Sequence, residues 1–254
     1  MDLTVTLAQK QAQRGLRLPQ KKIRTLIIFI ASALLSCQNY NLYDRLTCPG
    51  CVAGQSDKST NATTPCVNCR IFVSQTTRGD MSGNGGCGGA GGGTAFCGIG
   101  ANGVQKADYV CQNDPGRPDT AKVWKALVVD GTNRVACTNA NCTGGTAGRV
   151  DWILKPNTAY FRPDNVTLIM NTVANAVFAF GFLTNVINNT VAYSAWTGLN
   201  TNWTTGTTHC TNWSIGTNAV QGIYGTSSLN DGQSINAGTP VNCDTLNNLY
   251  CVEQ

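Results

Sequence analysis

The sequence predicts an α+β domain that is rich in β-strands, has one or two helices and is held together by disulfide bonds. Charged residues make up only 12% of the 254-residue chain, while Gly (28 residues), Thr and Asn are abundant. Such a composition favours strands and polar turns over surface helices. Short apolar runs alternate with turn signals, and 13 cysteines are present. These features together indicate short strands stapled by disulfides.

The N-terminal residues have the pattern of an export signal. Three basic residues between positions 21 and 24 precede the apolar run 26–35, which is too short to span a bilayer but suits a signal peptide. The run ends in Ser36-Cys37, which is similar to the lipobox of bacterial lipoproteins. We therefore expect residues 1–36 to be a removable signal peptide and Cys37 to carry the lipid. The alternative is an ordinary signal peptide followed by a chance cysteine.

An acylated Cys37 would anchor the protein to a membrane, because acyl chains add about 0.8 kcal/mol of membrane affinity per buried methylene. The expected location is the cell surface on the outer membrane, with a periplasmic or secreted protein as the alternative. The formal net charge of +5 does not predict nucleic-acid binding. Six of the eighteen basic residues precede Cys37, and the rest of the chain has equal numbers of acids and bases.

The twelve cysteines after Cys37 form an even set in an exported chain, which predicts disulfides. Residues 37–70 lack hydrophobic periodicity and are expected to form a lipidated, cysteine-rich tether before a domain at 71–254. The tether cysteines show two CxxC pairs that are also close to zinc-ribbon spacing, so zinc is the less favoured alternative. The four are Cys48, Cys51, Cys66 and Cys69. Two further pairs are predicted to be local staples: Cys87 with Cys97, and Cys137 with Cys142.

Within the domain, apolar patterning predicts one helix and several strands. The helix is expected at 104–112, where four apolar residues share one face before a Pro-containing stop. Strands are expected at 71–73, 123–129 and 152–154. The apolar stretch 166–187 resembles a membrane span, but four Asn and Thr side chains interrupt it. We expect two buried strands there, since unpaired amides are costly in hydrocarbon.

The C-terminal third carries the most specific pattern in the chain. It contains, in order, Trp196-Thr197-Gly198-Leu199, Trp203, Cys210-Thr211-Asn212-Trp213, Cys243 and Tyr250-Cys251-Val252-Glu253. This succession resembles the C-type-lectin-like domain, and its endostatin-like branch most closely. Four upstream segments extend the resemblance to spirochaete surface lipoproteins, some of them leptospiral endostatin-like proteins, that share a domain formerly of unknown function (DUF1554). These segments are 107–111, 124–127, 130–134 and 151–157, and the resemblance covers about residues 71–254.

The resemblance implies a C-type-lectin-like fold with two nested disulfides, Cys111–Cys251 and Cys210–Cys243. Closing a loop as long as the outer one would stabilise the domain by about 4 to 5 kcal/mol in chain-entropy terms. Trp196 and Trp213 are expected to be core residues that pack near these bridges. The alternating sequence around Cys251 favours a final strand that pairs with the first.

Sites of chemistry are few. His209 is the only histidine, and no nucleophile-elbow motif accompanies it, so a hydrolase is the less favoured interpretation. The calcium-ligating triplets of sugar-binding C-type lectins are replaced by Arg162-Pro163-Asp164 and by the segment 241–244. We expect no enzyme, no cofactor and no small-molecule substrate. No residue is marked as ligand-binding.

Two functions are expected from the resemblance and the export signal. The first is an adhesin-like surface protein that binds host extracellular-matrix or complement-regulating proteins through loops on a rigid frame. The alternative is a calcium-independent glycan- or envelope-binding module in the periplasm.

Overall fold

The computed structural model describes residues 66, 68–83 and 97–254. They belong to the second of two compact units, Thr60–Gln254. The predicted signal peptide, the predicted lipid-attachment residue Cys37 and the cysteines Cys48, Cys51 and Cys87 lie outside the described residues.

Nine short strands and two helical segments make up the described chain, which confirms the predicted β-rich α+β class. In chain order they are β1 (Asn68–Val73), α1 (Gly103–Asn113), β2 (Trp124–Ala126), β3 (Ala159–Phe161), β4 (Leu168–Asn171), β5 (Ser194–Trp196), α2 (Cys210–Trp213), β6 (Gln221–Gly222), β7 (Tyr224–Thr226), β8 (Val241–Asn242) and β9 (Asn248–Glu253). Two 3-10 turns lie at Ala140–Cys142 and Gly232–Ser234. β1 begins three residues before the predicted domain boundary.

The last strand, β9, is the centre of the main sheet. It pairs antiparallel with β1, so the predicted pairing of last and first strands is confirmed. Its other edge pairs with β2 and, in parallel, with β5. β3 and β4 continue the sheet beyond β1, and β7 continues it beyond β5, while β6 and β8 form a separate pair.

Both faces of β9 are covered. Tyr250 and Val252 belong to one apolar cluster, while Leu249 and Cys251 belong to another. This alternation follows the two-residue period of a strand. Because all six residues of β9 are buried, the strand can tolerate little change in side-chain volume.

The predicted helix is confirmed as α1. The Asn102 side chain accepts a hydrogen bond from the Gln105 backbone N–H and so caps its first turn. Its apolar face is buried against β2, and the helix ends before Asp114-Pro115. The buried residues are Gly103, Val104, Ala107, Val110 and Cys111.

Three predicted strands need correction. The segment 123–129 is a strand only at Trp124–Ala126. Residues 152–154 are buried or half-buried but not in a strand, because none of the described strands pairs with them. The Trp152 indole donates to the Ala176 carbonyl. The stretch 166–187 holds one strand, Leu168–Asn171, instead of two. The rest of that stretch inserts Val177, Phe178, Leu183 and Ile187 into the core as a loop. In the described part of the chain, no helix combines the length and apolarity needed to cross a membrane.

Disulfide bonds are present as predicted. Cys111 on α1 is bonded to Cys251 on β9, and Cys210 is bonded to Cys243, which are the two pairs that the resemblance implies. Cys137 is bonded to Cys142, and Cys66 to Cys69. Cys97 is also disulfide-bonded, while its predicted partner Cys87 lies outside the described residues.

Candidate binding cleft

A buried arginine, Arg134, holds the turn after β2 to the helix α1. Its guanidinium is fully buried, and all of its nitrogen atoms donate hydrogen bonds. Nη1 and Nη2 donate to the two carboxylate oxygens of Asp108, at 3.0 and 2.8 Å. Nη1 also donates to the Ala126 carbonyl, and Nε donates to the Asp151 carbonyl at 2.8 Å. The Asp151 carboxylate closes the cluster by accepting from Nη2 and from Lys125.

The Arg134 cluster explains three segments of the sequence resemblance. Asp108 comes from the segment 107–111, Arg134 from 130–134 and Asp151 from 151–157. Two cations and two carboxylates compensate one another, which is the condition under which a charge can be buried. These motif residues therefore serve the fold, not ligand contact.

A surface cleft of about 580 Å³ lies between α2 and the β6–β8 pair. Its lining is mostly hydroxyl and amide side chains, with one imidazole, and none of the lining residues carries a carboxylate, ammonium or guanidinium. The residues are Thr207, Thr208, His209, Thr211, Asn212, Asn218, Ala219, Val220, Gln221 and Asn242. The Thr208 hydroxyl oxygen is buried behind this lining and has no hydrogen-bond partner among the described residues.

The α2 wall of the cleft has an unusual backbone. All four of its residues have positive φ, between 51° and 57°, so the segment is a single left-handed helical turn. The Trp213 N–H donates to the His209 carbonyl, and the Ser214 N–H to the Cys210 carbonyl. Such a turn costs about 1 to 2 kcal/mol per residue for L-amino acids. The surrounding structure must therefore hold it in place.

Three contacts hold the left-handed turn. Cys210 is bonded to Cys243, beside β8. The Trp213 side chain is fully buried, lies 5.9 Å from the Trp196 ring centroid and donates from its indole to the Val129 carbonyl. These positions confirm the expectation that Trp196 and Trp213 are core residues near the bridges. Backbone strain of this kind persists where the fold over-determines it, and it clusters at functional sites.

His209 has a defined hydrogen-bonding role. Its Nδ1 accepts from the Asn212 backbone N–H at 3.0 Å, which assigns the N–H proton of the ring to Nε2. A triad histidine uses one nitrogen to donate to a carboxylate and the other to accept from the nucleophile. His209 instead offers the cleft a donor at Nε2, an arrangement suited to binding a ligand oxygen.

The segment Arg78-Gly79-Asp80 packs against the Cys210–Cys243 bridge. Gly79 is buried, and its N–H donates to the Cys243 carbonyl at 2.8 Å. The Asp80 carboxylate accepts from the backbone and hydroxyl of Ser82.

The predicted metal alternative receives no support from the described cysteines. Cys66 and Cys69 are bonded to each other, and a disulfide does not supply thiolate ligands. Within residues 66, 68–83 and 97–254, no group of three His, Cys, Asp or Glu side chains could hold a metal ion. Apart from His209 and the α2 motif, the lining of the cleft carried no sequence signal, because isolated Thr and Asn residues are common in turns.

The fold and the site define the class of this protein. It is a disulfide-bonded α+β domain with an uncharged cleft beside a left-handed turn. The chain belongs to the family described as "Protein of unknown function (DUF1554)", which matches residues 84–230, more than half of the chain. No curated protein matches it. The predicted membership of the DUF1554 family is confirmed.

Proposed function

We propose that this protein is a non-catalytic, lipid-anchored binding protein of the bacterial cell surface, related to the leptospiral endostatin-like lipoproteins. In this proposal Cys37 carries the lipid, the domain has a C-type-lectin-like fold, and host extracellular-matrix or complement-regulating proteins are the ligands. The observation that carries a binding role is the uncharged cleft on the left-handed turn. The Cys210–Cys243 bridge and the buried Trp213 hold the backbone of the left-handed turn before a ligand arrives, which reduces the entropy lost on binding.

A second candidate is a calcium-independent glycan- or envelope-binding module, and the cleft lining favours it specifically. Hydroxyl, amide and imidazole groups pair with sugar hydroxyls without requiring a charged ligand. Ala219 and Val220 add apolar surface that a sugar ring face can cover. If the cleft binds the glycans of host matrix proteins or complement regulators, both candidate functions describe the same binding.

Binding of the full chain to immobilised laminin, fibronectin and complement regulators tests the first candidate. We expect saturable binding that a Thr207→Ala/Gln221→Ala double variant weakens about fivefold or more, as truncation of central interface side chains does. Both side chains are exposed in the cleft. The matched control is Gln233→Ala, an exposed glutamine outside the lining, which should bind normally.

Two further experiments distinguish the two candidate functions. Enzymatic deglycosylation of the immobilised proteins should abolish glycan binding but leave protein binding intact, and calcium chelation should affect neither. Protease treatment of intact cells should cleave a surface protein and spare a periplasmic one. Absence of saturable binding to every coated protein, glycosylated or not, at micromolar concentration would reject the first candidate, and absence of binding to isolated envelope glycans as well would reject the second.

A further inference from the structure

The Cys66–Cys69 bridge differs from the other bridges in solvent access. In the three remaining pairs with both partners described, every cysteine is at most 3% exposed. Cys69 is likewise fully buried, whereas Cys66 is partly exposed at the start of the described domain. An external thiol therefore has better access to Cys66 than to the fully buried Cys69.

A cation lies beside the accessible sulfur. The Lys155 Nζ is 3.5 Å from the Cys66 Sγ. Burial lowers the pKa of Lys155, which shows that its ammonium is partly withdrawn from water. A positive charge next to a cysteine sulfur favours the thiolate and so lowers the pKa of the thiol that reduction releases.

The rest of β1 does not depend on this bridge. Asn68 to Arg70 pair with β3, and Ile71 to Val73 pair with β9. The Arg70 guanidinium also donates to the buried Glu253 carboxylate at 2.7 Å. Opening a bridge between residues only 3 apart would therefore leave the strand in place.

We propose that Cys66-Val-Asn-Cys69 is a thiol–disulfide exchange site whose substrate class is a dithiol or its disulfide, an activity that goes beyond ligand binding in the cleft. Cys66 is the exchanging sulfur, Cys69 is the resolving sulfur, and Lys155 stabilises the Cys66 thiolate. The CxxC spacing is that of dithiol redox motifs.

A substrate thiolate attacks the Cys66 Sγ and forms a mixed disulfide, while the Cys66–Cys69 bond breaks and its electron pair passes to the Cys69 Sγ, which takes a proton from water. The second substrate thiol, as thiolate, then attacks the substrate sulfur of the mixed disulfide and releases the Cys66 thiolate beside Lys155. The substrate loses two electrons and becomes a disulfide, and the protein becomes a dithiol.

Titration of the oxidised full chain with dithiothreitol, followed by alkylation and peptide mass analysis, tests this proposal. We expect Cys66–Cys69 to be half reduced at a dithiothreitol concentration at least about tenfold below that for Cys111–Cys251 or Cys210–Cys243, because a stabilised thiolate makes a disulfide more oxidising. Lys155→Met should raise the concentration needed for Cys66–Cys69 about threefold or more. Lys106→Met, on helix α1, is the matched control and should change nothing.

A second measurement removes the bridge altogether. In Cys69→Ser, the Cys66 thiol should react with iodoacetamide at pH 7, and adding Lys155→Met should slow that reaction about fivefold. Cys66→Ser should leave the buried Cys69 thiol nearly unreactive in the folded protein. Equal reduction of all bridges, or a Cys66 thiol whose rate is independent of Lys155, would overturn the proposal. Neither outcome bears on binding in the cleft, so the two proposals fail separately.

Discussion

Arg134 and Asp108 are joined by two parallel hydrogen bonds, at 3.0 and 2.8 Å, and the arginine is closed to water. Asp108 also accepts from the Ala126 backbone N–H at 2.8 Å. One carboxylate on α1 thus fixes both the strand β2 and the turn that follows it. We call this Arg134–Asp108 pair the joint, because it connects helix α1 to β2 of the main sheet and to the turn after β2.

Arg134→Met should destabilise the domain by about 3 kcal/mol, at the lower end of what removal of one partner from a buried ion pair costs. The substitution leaves Asp108 and Asp151 facing each other without their shared cation. The lower end applies because their side chains keep some solvent access, at 20% and 41% exposed. Urea unfolding under non-reducing conditions measures the change.

The control for this prediction is Lys125→Met, at the edge of the same cluster. The Lys125 ammonium is 31% exposed and pairs with Asp151 at 2.6 Å. An exposed pair contributes about 0.2 to 1 kcal/mol, so the loss should be correspondingly small. Equal losses in the two variants would show that burial of Arg134 does not set the stability of the joint.

Acid should weaken the same joint through Asp151. Partial burial opposes its ionisation, but Arg134 and Lys125 outweigh that effect and hold its pKa below the ordinary value. A carboxyl whose pKa is lower in the folded state stabilises the protein above its unfolded pKa of about 3.9 and loses that contribution as the pH falls through its folded pKa. Stability should therefore decrease below about pH 4.

Asp151→Asn tests this dependence. The variant should be less stable than the parent at pH 7 and should lose less stability on acidification, as measured by urea unfolding at several pH values. Asp244→Asn, in the exposed turn after β8, should keep the parent's pH profile. If Asp151→Asn keeps the parent's dependence of stability on pH, the acid sensitivity comes from other carboxyl groups.

The sequence predicted elements whose signal is local. Helix α1 has an apolar face, a side-chain cap at Asn102 and a Pro-containing stop, and all three lie within fourteen residues. The pairing of β9 with β1 could be predicted because the alternation around Cys251 is regular. The strand β2 is shorter than its apolar run because the chain leaves β9 after Leu127, whose N–H still donates to the Tyr250 carbonyl, and Val129 donates to the Thr197 carbonyl instead.

Features set by distant partners could not be predicted in this way. The loop after β4 buries Phe178, whose carbonyl accepts from the Trp203 indole at 2.9 Å, a contact across 25 residues. A short apolar run does not show whether a partner strand will lie beside it. The cleft depends on the left-handed conformation of Cys210 to Trp213, which no propensity of Cys, Thr or Trp indicates.

The disulfides should differ in their contribution to stability according to the loops they close. Cys111–Cys251 spans 140 residues and Cys137–Cys142 spans 5. Chain entropy assigns about 5 kcal/mol to the longer loop and about 2 kcal/mol to the shorter. Paired Cys→Ala variants of each bridge, compared by urea unfolding, should show the larger loss for Cys111–Cys251. The reverse order would mean that strain in the folded state, and not loop closure, determines the effect.

Gly222 should not tolerate a side chain. A Cβ at this position would lie 2.7 Å from the Cys210 Sγ and 2.9 Å from the Trp196 ring, both of which are buried. Gly222→Ala should therefore displace the Cys210–Cys243 bridge or the ring and destabilise the domain by about 1 to 3 kcal/mol, as overpacking does. Thermal unfolding measures this, and Gly145→Ala controls for backbone entropy, although its positive φ of 88° adds strain of its own. If Gly222→Ala leaves the thermal stability unchanged, the packing at the base of the cleft is loose.

The region matched by the family, residues 84–230, should not fold by itself. It omits β1 and β9. Without them β2 loses its strand partner, while β3 keeps only β4 and β5 keeps only β7. It also omits Cys243 and Cys251, so both long-range bridges are lost. A fragment of residues 84–230 should show no cooperative urea transition, whereas a fragment of residues 60–254, the complete compact unit, should unfold in one transition. Cooperative unfolding of the shorter fragment would mean that the core does not require β9, although all six residues of that strand are buried between the two apolar clusters.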